Sequence, residues 1–176
     1  MSLMQDKNIS VYVGGDLLQL GNNMLRNKEK HDIIKLGYTP YSPSDDKEIN
    51  DKSNQTVESN NGLAEKIFAK DTKGMMEADI IIFDVANTSV GTTAEIGQWA
   101  MVHKLASITQ DSFIRDLASK PILFHSSDLR DMDIPEAGYR RSHSYNAYML
   151  GCCYECNPKG IQTWEEILEF LKGYNL

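Results

Sequence analysis

The sequence predicts an α/β domain built on a doubly wound sheet of five parallel strands with helices on both faces. Short apolar runs alternate with longer segments of helical periodicity, a pattern typical of parallel strands joined by helical crossovers. Such crossovers are right-handed, which distributes the helices over both faces. The 176 residues contain no internal repeat or linker and suit one domain over 1–176. Residues 1–3, ahead of a second methionine, are left out of the fold prediction.

Each strand is predicted from an apolar run that ends at a turn signal. In the first run Val11 and Val13 point inward and Gly14 breaks the strand, and the third run, ADIIIFD, ends at an aspartate. The five predicted strands are 8–14, 38–41, 79–84, 105–109 and 120–125. With helices between them they correspond to a flavodoxin-like sheet.

Helices are predicted where apolar residues recur at a spacing of about 3.6 and where capping residues stand at the ends. Asp16 is placed to cap the first helix and Gly37 to end it, and Thr163 with Glu166 matches a capping box. The predicted helices are 16–36, 62–77, 92–103, 145–155 and 163–171. The apolar residues that recur in the first helix are Leu17, Leu20, Met24 and Ile34. Residues 47–61 and 126–144 are predicted as polar surface segments.

Composition narrows the possible partners. The net charge of −7 argues against a nucleic-acid polymer but not against a small anionic ligand. No apolar run approaches the roughly 20 residues of a membrane span, and the N-terminus lacks a signal-peptide core, so we expect no membrane partner. Cys152, Cys153 and Cys156 have no second pair at metal-ligand spacing. We therefore expect reduced thiols in a cytoplasmic protein, without a bound metal.

The residues that could carry chemistry follow the predicted strands, at the edge where open parallel sheets bind ligands. The segment 78–97, ADIIIFDVANTSVGTTAEIG, combines a strand, a polar turn and a helix that opens with the carboxylate of Glu95. Asp71 lies on the helix before this strand. The other candidates are Tyr12, Gly14, Asp45, Asp84, Asn87, Ser89 and Gly91.

Spacing alone leaves two interpretations of Glu95. A carboxylate at a helix N-terminus is held ionised by the helix dipole, and a pair of carboxylates in different environments suits glycosidic chemistry. Alternatively, Thr92 and Glu95 form a T-x-x-E capping box, in which the glutamate has only a structural role. The corresponding structural interpretations are a turn cap for Asp84, a solvated helix face for Asp71, and the core or its rim for Tyr12.

Four segments in this order and spacing resemble the nucleoside 2-deoxyribosyltransferases: VYVGG (11–15), DTKG (71–74), ADIIIFDV (78–85) and GTTAEIG (91–97). The resemblance extends from about residue 9 to the end of the chain. It implies that a carboxylate attacks C1′ of a 2′-deoxynucleoside, that the base leaves, and that a second nucleobase, or water, takes the deoxyribosyl group. No cofactor is implied.

The resemblance also implies roles for individual residues. Glu95 matches the nucleophile, Asp71 the acid that meets the departing base, and Tyr12 a tyrosine that orients the nucleophile. Asn146, in SYNAYMLG, is similar to an asparagine that reaches the deoxyribose 5′-hydroxyl, often from a neighbouring subunit. We therefore expect deoxynucleosides and nucleobases as small-molecule partners, and a homo-oligomer in which Asn146 contributes to a neighbouring site.

Ser89 raises an alternative function. Deoxyribosyltransferases often carry an aspartate six residues before the nucleophile, whereas the related deoxynucleoside 5′-monophosphate N-glycosidases carry a serine that binds phosphate. A carboxylate repels phosphate, while a hydroxyl beside helix-start N–H groups can accept it. Arg140, Arg141 and His143 would then form a phosphate clamp, or else a solvated loop. A third hypothesis is a non-catalytic nucleotide-binding module, because one fold hosts many functions.

Overall fold

A computed structural model describes residues 8–46, 56–86, 89–128 and 145–174, together with the backbone of 135–136 and 140–141. The strands are β1 Ser10–Gly14, β2 Thr39–Tyr41, β3 Ile80–Asp84, β4 Ile122–His125, β5 Pro135–Glu136, β6 Arg140–Arg141 and β7 Ile161–Gln162. Five of them form one parallel sheet in the order β2-β1-β3-β4-β7. The remaining two, β5 and β6, form an antiparallel pair within the predicted loop 126–144. The predicted five-stranded parallel sheet is confirmed.

Five of the seven described helices lie close to the predicted positions. The helices are α1 Leu20–Lys35, α2 Val57–Asn60, α3 Leu63–Glu77, α4 Val90–Ala106, α5 Ser112–Ala118, α6 Ala147–Cys156 and α7 Trp164–Tyr174, with a 3-10 turn at Pro43–Asp45. The two short ones, α2 and α5, were not predicted. The capping box of Thr163 and Glu166 forms as predicted, with hydrogen bonds of 2.8 and 3.2 Å in the two directions. Within the described residues, none of these helices has the length and apolar character needed to cross a membrane.

The sheet buries two separate apolar clusters because side chains alternate between its faces along each strand. The face covered by α3, α4 and α6, which we call the α4 face, carries the strand residues Tyr12, Ile81, Phe83, Ile122 and Phe124. The opposite face, which we call the α1 face, is covered by α1 and α7 and carries Val11, Val13, Ile80, Ile82 and Leu123. This division confirms a doubly wound architecture with helices on both faces.

The predicted strand at 105–109 is wrong. α4 continues through Ala106, and the N–H groups of Ile108 and Thr109 donate to the Leu105 carbonyl at 3.0 and 2.9 Å. No proline or turn signal separates this stretch from the helix before it, so the helix continues. Leu105 and Ile108 are 39% and 77% exposed, which explains why their apolar character does not produce a strand.

The fifth strand is instead β7, which pairs with β4 through Phe124 and Ile161 and through His125 and Gln162. Two residues are too few to show a strand periodicity. A tight turn precedes them, in which Gly160 has a φ of 67° and a Cβ would lie 2.3 Å from the Tyr154 ring. Only glycine fits this position without displacing the tyrosine.

α1 turns a different face inward than its apolar residues predict. Leu20, Met24 and Ile34 are 79%, 63% and 56% exposed, and the buried residues of the helix are Arg26, Glu29 and Ile33. The predicted N-cap is also wrong, because Gln19 occupies the position before the helix. The Asp16 carboxylate instead accepts hydrogen bonds from the Leu18 N–H at 2.8 Å and the Asn22 amide at 2.7 Å.

Candidate active site

The centre of the candidate site is a hydrogen bond between Tyr12 and Glu95. Tyr12 lies fully buried on β1, and its hydroxyl donates to Glu95 Oε1 at 2.9 Å. Burial, followed by the charge of Glu95, raises the pKa of the tyrosine far above its ordinary value. The phenol therefore remains a hydrogen-bond donor over the whole pH range in which the carboxyl group titrates.

Glu95 lies one turn further into α4 than the sequence predicts. The helix begins at Val90 with Ser89 as its N-cap, so Glu95 is in the second turn and no T-x-x-E box forms with Thr92. Its side chain points instead to Tyr12. The capping interpretation is therefore wrong, and so is the expectation that the helix terminus holds this carboxylate ionised.

Burial controls the protonation of Glu95. It raises the pKa of the carboxyl group to about 7, although the hydrogen bond from Tyr12 acts in the opposite direction. The charge of Asp71 adds to the increase. Glu95 thus changes between a neutral acid and an ionised carboxylate near neutral pH, which is the range that suits a reactive group.

Asp71 brings the second carboxyl group to the same site from α3. Burial first, and then the nearby Asp46, raise its pKa to about 6. Its Oδ1 atom is buried and has no hydrogen-bond partner within the described part of the chain. A buried acceptor without a partner is costly, so this oxygen is available to a ligand that carries a proton.

Two neighbours of Asp71 were not among the predicted site residues. Tyr41 lies beside Tyr12 on the adjacent strand, with ring centroids 5.9 Å apart. Asp46 pairs with Lys70 at 2.7 Å and is the charge that acts on Asp71. The predicted Asp45 instead pairs with Lys30 of α1 at 2.6 Å. Asp46 also follows β2, so the strand-end position that predicts Asp45 applies equally to Asp46.

Ser89 and Gly91 lie at the start of α4. Ser89 is buried, and its hydroxyl donates to Thr92 Oγ1 at 2.6 Å. Gly91 is exposed, and among the described residues no atom outside its two neighbours and the nearby helix backbone lies within 4 Å of the position that a Cβ would take. The first turn of this helix is therefore open above Gly91, where helix N–H groups favour an anion. The predicted Asn87 lies outside the described residues.

Asp84 and Gly14 serve a different purpose from the one predicted. Asp84 lies on the α1 face, where its carboxylate accepts from Arg26 at 2.6 Å, from the Ala86 N–H at 3.2 Å and from the Ser127 N–H at 3.0 Å. The turn-cap interpretation fits these contacts. The Gly14 carbonyl accepts from Arg26 at 3.3 Å, so both residues support the loops beneath the site.

A buried cluster, which we call the Arg26 cluster, consists of Arg26, Glu29, Asp84 and His125. Asp84 is a predicted site residue, but its three partners were not predicted for the site or the core. Arg26 Nη2 lies 2.8 Å from Glu29 and 2.6 Å from Asp84, and Glu29 lies 3.3 Å from His125 Nε2. Burial lowers the pKa of His125 to about 4. The i, i+3 spacing of Arg26 and Glu29 is a signal for a pair, but it does not indicate that the pair is buried.

Asn146 lies on the surface as the N-cap of α6. Its side-chain oxygen accepts from the N–H groups of Tyr148 at 2.9 Å and Met149 at 3.4 Å. The residue is exposed, so its amide nitrogen faces outward from this chain. Its predicted contact with the substrate of a neighbouring subunit stays a prediction.

The three cysteines lie in α6 as free thiols, and burial raises the pKa of Cys153 and Cys156 above the ordinary thiol value. They are therefore unreactive thiols, as reduced packing residues are expected to be. Over 8–46, 56–86, 89–128 and 145–174, no group of three or more histidine, cysteine or acidic side chains could hold a metal ion.

Comparisons with known proteins agree with the fold described above. The chain superposes on a 2-deoxyribosyltransferase from the psychrotolerant bacterium Bacillus psychrosaccharolyticus with a TM-score of 0.54, at 13% identity and with 90% of each chain covered. It also superposes on a conserved protein from Enterococcus faecalis V583 with a TM-score of 0.64, at 18% identity, covering 94% of this chain and 98% of that one. No curated protein sequence matches the chain.

The model of the nucleoside 2-deoxyribosyltransferase family matches residues 11–162. Since this match spans most of the 176 residues, the chain belongs to the nucleoside 2-deoxyribosyltransferase family.

Proposed function

We propose that the protein transfers a 2-deoxyribosyl group from a 2′-deoxynucleoside to an acceptor nucleobase through a covalent glycosyl intermediate on Glu95. The observation that carries this proposal is the hydrogen bond of 2.9 Å from the Tyr12 hydroxyl to Glu95, in a site that also holds Asp71. One carboxyl group is aligned by a permanent donor and the other has a free buried oxygen. This asymmetry suits a nucleophile and a proton-transfer group.

In the first step, ionised Glu95 attacks C1′ of the deoxyribose. A C1′–O bond to the carboxylate forms as the bond between C1′ and the base nitrogen breaks, and the electron pair of that bond goes to the base. Protonated Asp71 donates its proton to the departing base. Tyr12 keeps its hydrogen bond to the glutamate and orients the attacking oxygen.

In the second step, a nitrogen of the acceptor base attacks C1′ and the C1′–O bond breaks, which returns the electron pair to Glu95. Ionised Asp71 takes the proton from the acceptor nitrogen. Both groups regain their starting states, so no cofactor is consumed. With pKa values of about 7 for Glu95 and about 6 for Asp71, the pair carries one proton most often between pH 6 and 7. In the free site that proton lies mainly on Glu95, so the active form, with the proton on Asp71, is the less populated of the two arrangements.

The test is base exchange between deoxyinosine and adenine, followed by chromatography of deoxyadenosine. In a second experiment the enzyme is mixed with deoxyinosine alone, the reaction is quenched, and the protein is analysed by peptide mass spectrometry. A deoxyribosyl adduct on the peptide that contains Glu95 supports the covalent step. Exchange without any such adduct, together with unchanged exchange by Glu95→Gln, would contradict it.

Hydrolysis of a deoxynucleoside 5′-monophosphate is the second candidate, and Ser89 favours it. A neutral hydroxyl at the start of a 17-residue helix, next to the open space above Gly91, suits phosphate better than an aspartate would. In this reaction water replaces the acceptor base in the second step.

Deoxyinosine and its 5′-monophosphate, each with and without adenine, distinguish the two candidates. Exchange on the free nucleoside supports transfer, whereas release of hypoxanthine from the monophosphate alone supports hydrolysis. Ser89→Asp sharpens the comparison. If phosphate binds there, this variant loses the monophosphate activity and keeps or gains activity on the nucleoside.

We also propose a homo-oligomer in which Asn146 completes the site of a neighbouring chain. Its exposure at the start of α6 supports this arrangement, as does a groove of about 380 Å³ between α4 and α6 with the exposed Met101 and Tyr148 at its border. Mixing inactive Glu95→Gln with inactive Asn146→Ala tests it. Recovery of about a quarter of the wild-type activity in a 1:1 mixture, where half of the dimers are mixed and each mixed dimer has one intact site, supports shared sites. No recovery after subunit exchange contradicts them.

A further inference from the structure

Tyr41 occupies the position next to Tyr12 in the sheet. The two residues are Cα partners on the parallel strands β2 and β1, so both side chains point to the α4 face. Their ring centroids are 5.9 Å apart at an interplanar angle of 38°. Tyr12 is bonded to Glu95, and Tyr41 lies on the side of the site that holds Asp71.

Helix α3 carries a glycine where it meets the Tyr41 ring. A Cβ at Gly74 would lie 2.5 Å from Cε1 and 3.1 Å from Cδ1 of that ring. Gly74 and Asp71 are three residues apart and so lie on the same face of the helix. The ring therefore covers the helix surface that carries Asp71, and any larger residue at 74 would displace it.

Several titratable groups, two of them neutral phenols, surround Asp71. They are Glu95 from α4, Tyr12 from β1, Tyr41 from β2, and Asp46 with its partner Lys70. The largest influence on Asp71 is burial, not any of these charges. Burial is the largest cause that raises the pKa of Tyr41, and the charges of Asp71 and Asp46 raise it further.

We propose that Tyr41 is a positioning residue for Asp71: its ring excludes water from this carboxyl group and holds α3 at the distance from the sheet that the reaction requires. The proposal rests on the proposed function, in which Asp71 exchanges a proton with the base. The two tyrosines then divide the task, since Tyr12 aligns the nucleophile by a hydrogen bond and Tyr41 controls the acid by packing.

The proposal is tested by the titration of Asp71, followed by ¹³C NMR of the labelled carboxyl group and assigned with Asp71→Asn. Tyr41→Leu should move the midpoint from about 6 toward the ordinary value of about 4, and Tyr41→Phe should leave it unchanged because the ring remains. Gly74→Ala should act like Tyr41→Leu. The control is Gly173→Ala, whose Cβ would meet nothing within 4 Å. An Asp71 midpoint that is the same in Tyr41→Leu, Gly74→Ala and wild type would overturn the proposal.

Kinetics then separate this inference from the proposed function. In base exchange, Tyr41→Leu should lower kcat about tenfold or more, with little change in KM, and should shift the acidic limb of the pH profile to lower pH, since the first proton lost from the pair comes mainly from Asp71. The NMR titration needs no turnover. If the wild-type protein shows no exchange activity while the variants show the predicted Asp71 shifts, the proposed function is contradicted and the positioning role of Tyr41 stands. If Tyr41→Leu does not fold, Gly74→Ala alone decides the outcome.

Discussion

The two faces of the sheet each carry two carboxyl groups, and among the described residues only those of the α1 face, Glu29 and Asp84, pair with a guanidinium. On the α1 face, Arg26 lies 2.6 Å from Asp84 and 2.8 Å from Glu29. On the α4 face, the neutral phenol of Tyr12 donates a hydrogen bond to Glu95. A buried carboxylate that is paired with a guanidinium holds elements together, whereas one that faces only a neutral donor keeps its charge available for chemistry.

A raised pKa does not by itself distinguish the two faces. Burial raises the pKa of Glu29 to about 8, despite the opposing effect of Arg26, and that of Glu95 only to about 7. Glu29 is 1% exposed, so no substrate reaches it. The comparison teaches that a perturbed carboxyl group is a catalytic candidate only where it also borders open space.

The largest expected difference between the faces is in turnover. Glu95→Gln should lower base exchange by about 10³-fold or more because an amide is a far weaker nucleophile. Glu29→Gln should retain the wild-type rate within about threefold, since it lies on the opposite face. Steady-state assays at pH 6.5, with circular dichroism to verify folding, measure both. Comparable losses in the two variants would show that the faces are not functionally separate.

The next largest effect is on stability and comes from the α1 face. Arg26→Met should reduce the free energy of unfolding by about 3–5 kcal/mol, because it leaves the buried Asp84 carboxylate without a cation. Lys28→Met is the matched control, since Lys28 pairs with Asp32 on the surface and such pairs contribute about 0–1 kcal/mol. Urea denaturation measures both values. Equal losses would mean that burial does not strengthen the Arg26 pairing.

Tyr12→Phe should have a smaller effect on the α4 face. A hydrogen bond to a charged group contributes about 1.5–3 kcal/mol, so exchange near neutral pH should fall by about tenfold or somewhat more. The bond lowers the pKa of Glu95. Its loss should raise this pKa and move the alkaline limb of the pH–rate profile to higher pH, since the last proton lost from the pair comes mainly from Glu95. A uniform decrease without a shift would argue against the orienting role.

The smallest effect concerns Glu29. Its pKa is higher in the folded state than in the unfolded chain, so the folded protein binds the proton more tightly and loses stability as pH rises from about 4.5 to about 8. Glu29→Gln removes this dependence. Its stability relative to wild type should increase by about 1–2 kcal/mol between pH 6.5 and 8, which denaturation at several pH values measures. A difference that stays flat with pH would mean that Glu29 is already ionised when folded.

Much of the fold could be predicted because it follows from local patterns. Three apolar runs and KPILFH appear as β1, β2, β3 and β4 near the expected positions. The errors have physical causes. A strand of two residues leaves no periodic signal, and the apolar residues at 105–109 continue a helix. On α1, hydropathy selected the wrong face because a neutralised Arg26–Glu29 pair can be buried where leucine is expected.

The candidate site was predictable to a similar extent. Segment order and spacing brought Tyr12, Asp71 and Glu95 to attention, and the structure places them together. Tyr41 and Asp46 were missed because only strand register and helix packing bring them to Asp71. The sequence contains these residues but no regular spacing that links them to the acid.

The lengths of the outer strands have a consequence for how molecules of this protein meet. β2 and β7 border the parallel sheet and contain three and two residues. Pro40 of β2 has no N–H to offer, and β6 runs close to β7. Long, unprotected borders allow sheets to join and aggregate, and short or proline-containing borders prevent it. Short borders of this kind thus favour helix surfaces over the sheet backbone for any association between copies, and there side chains determine which contacts form.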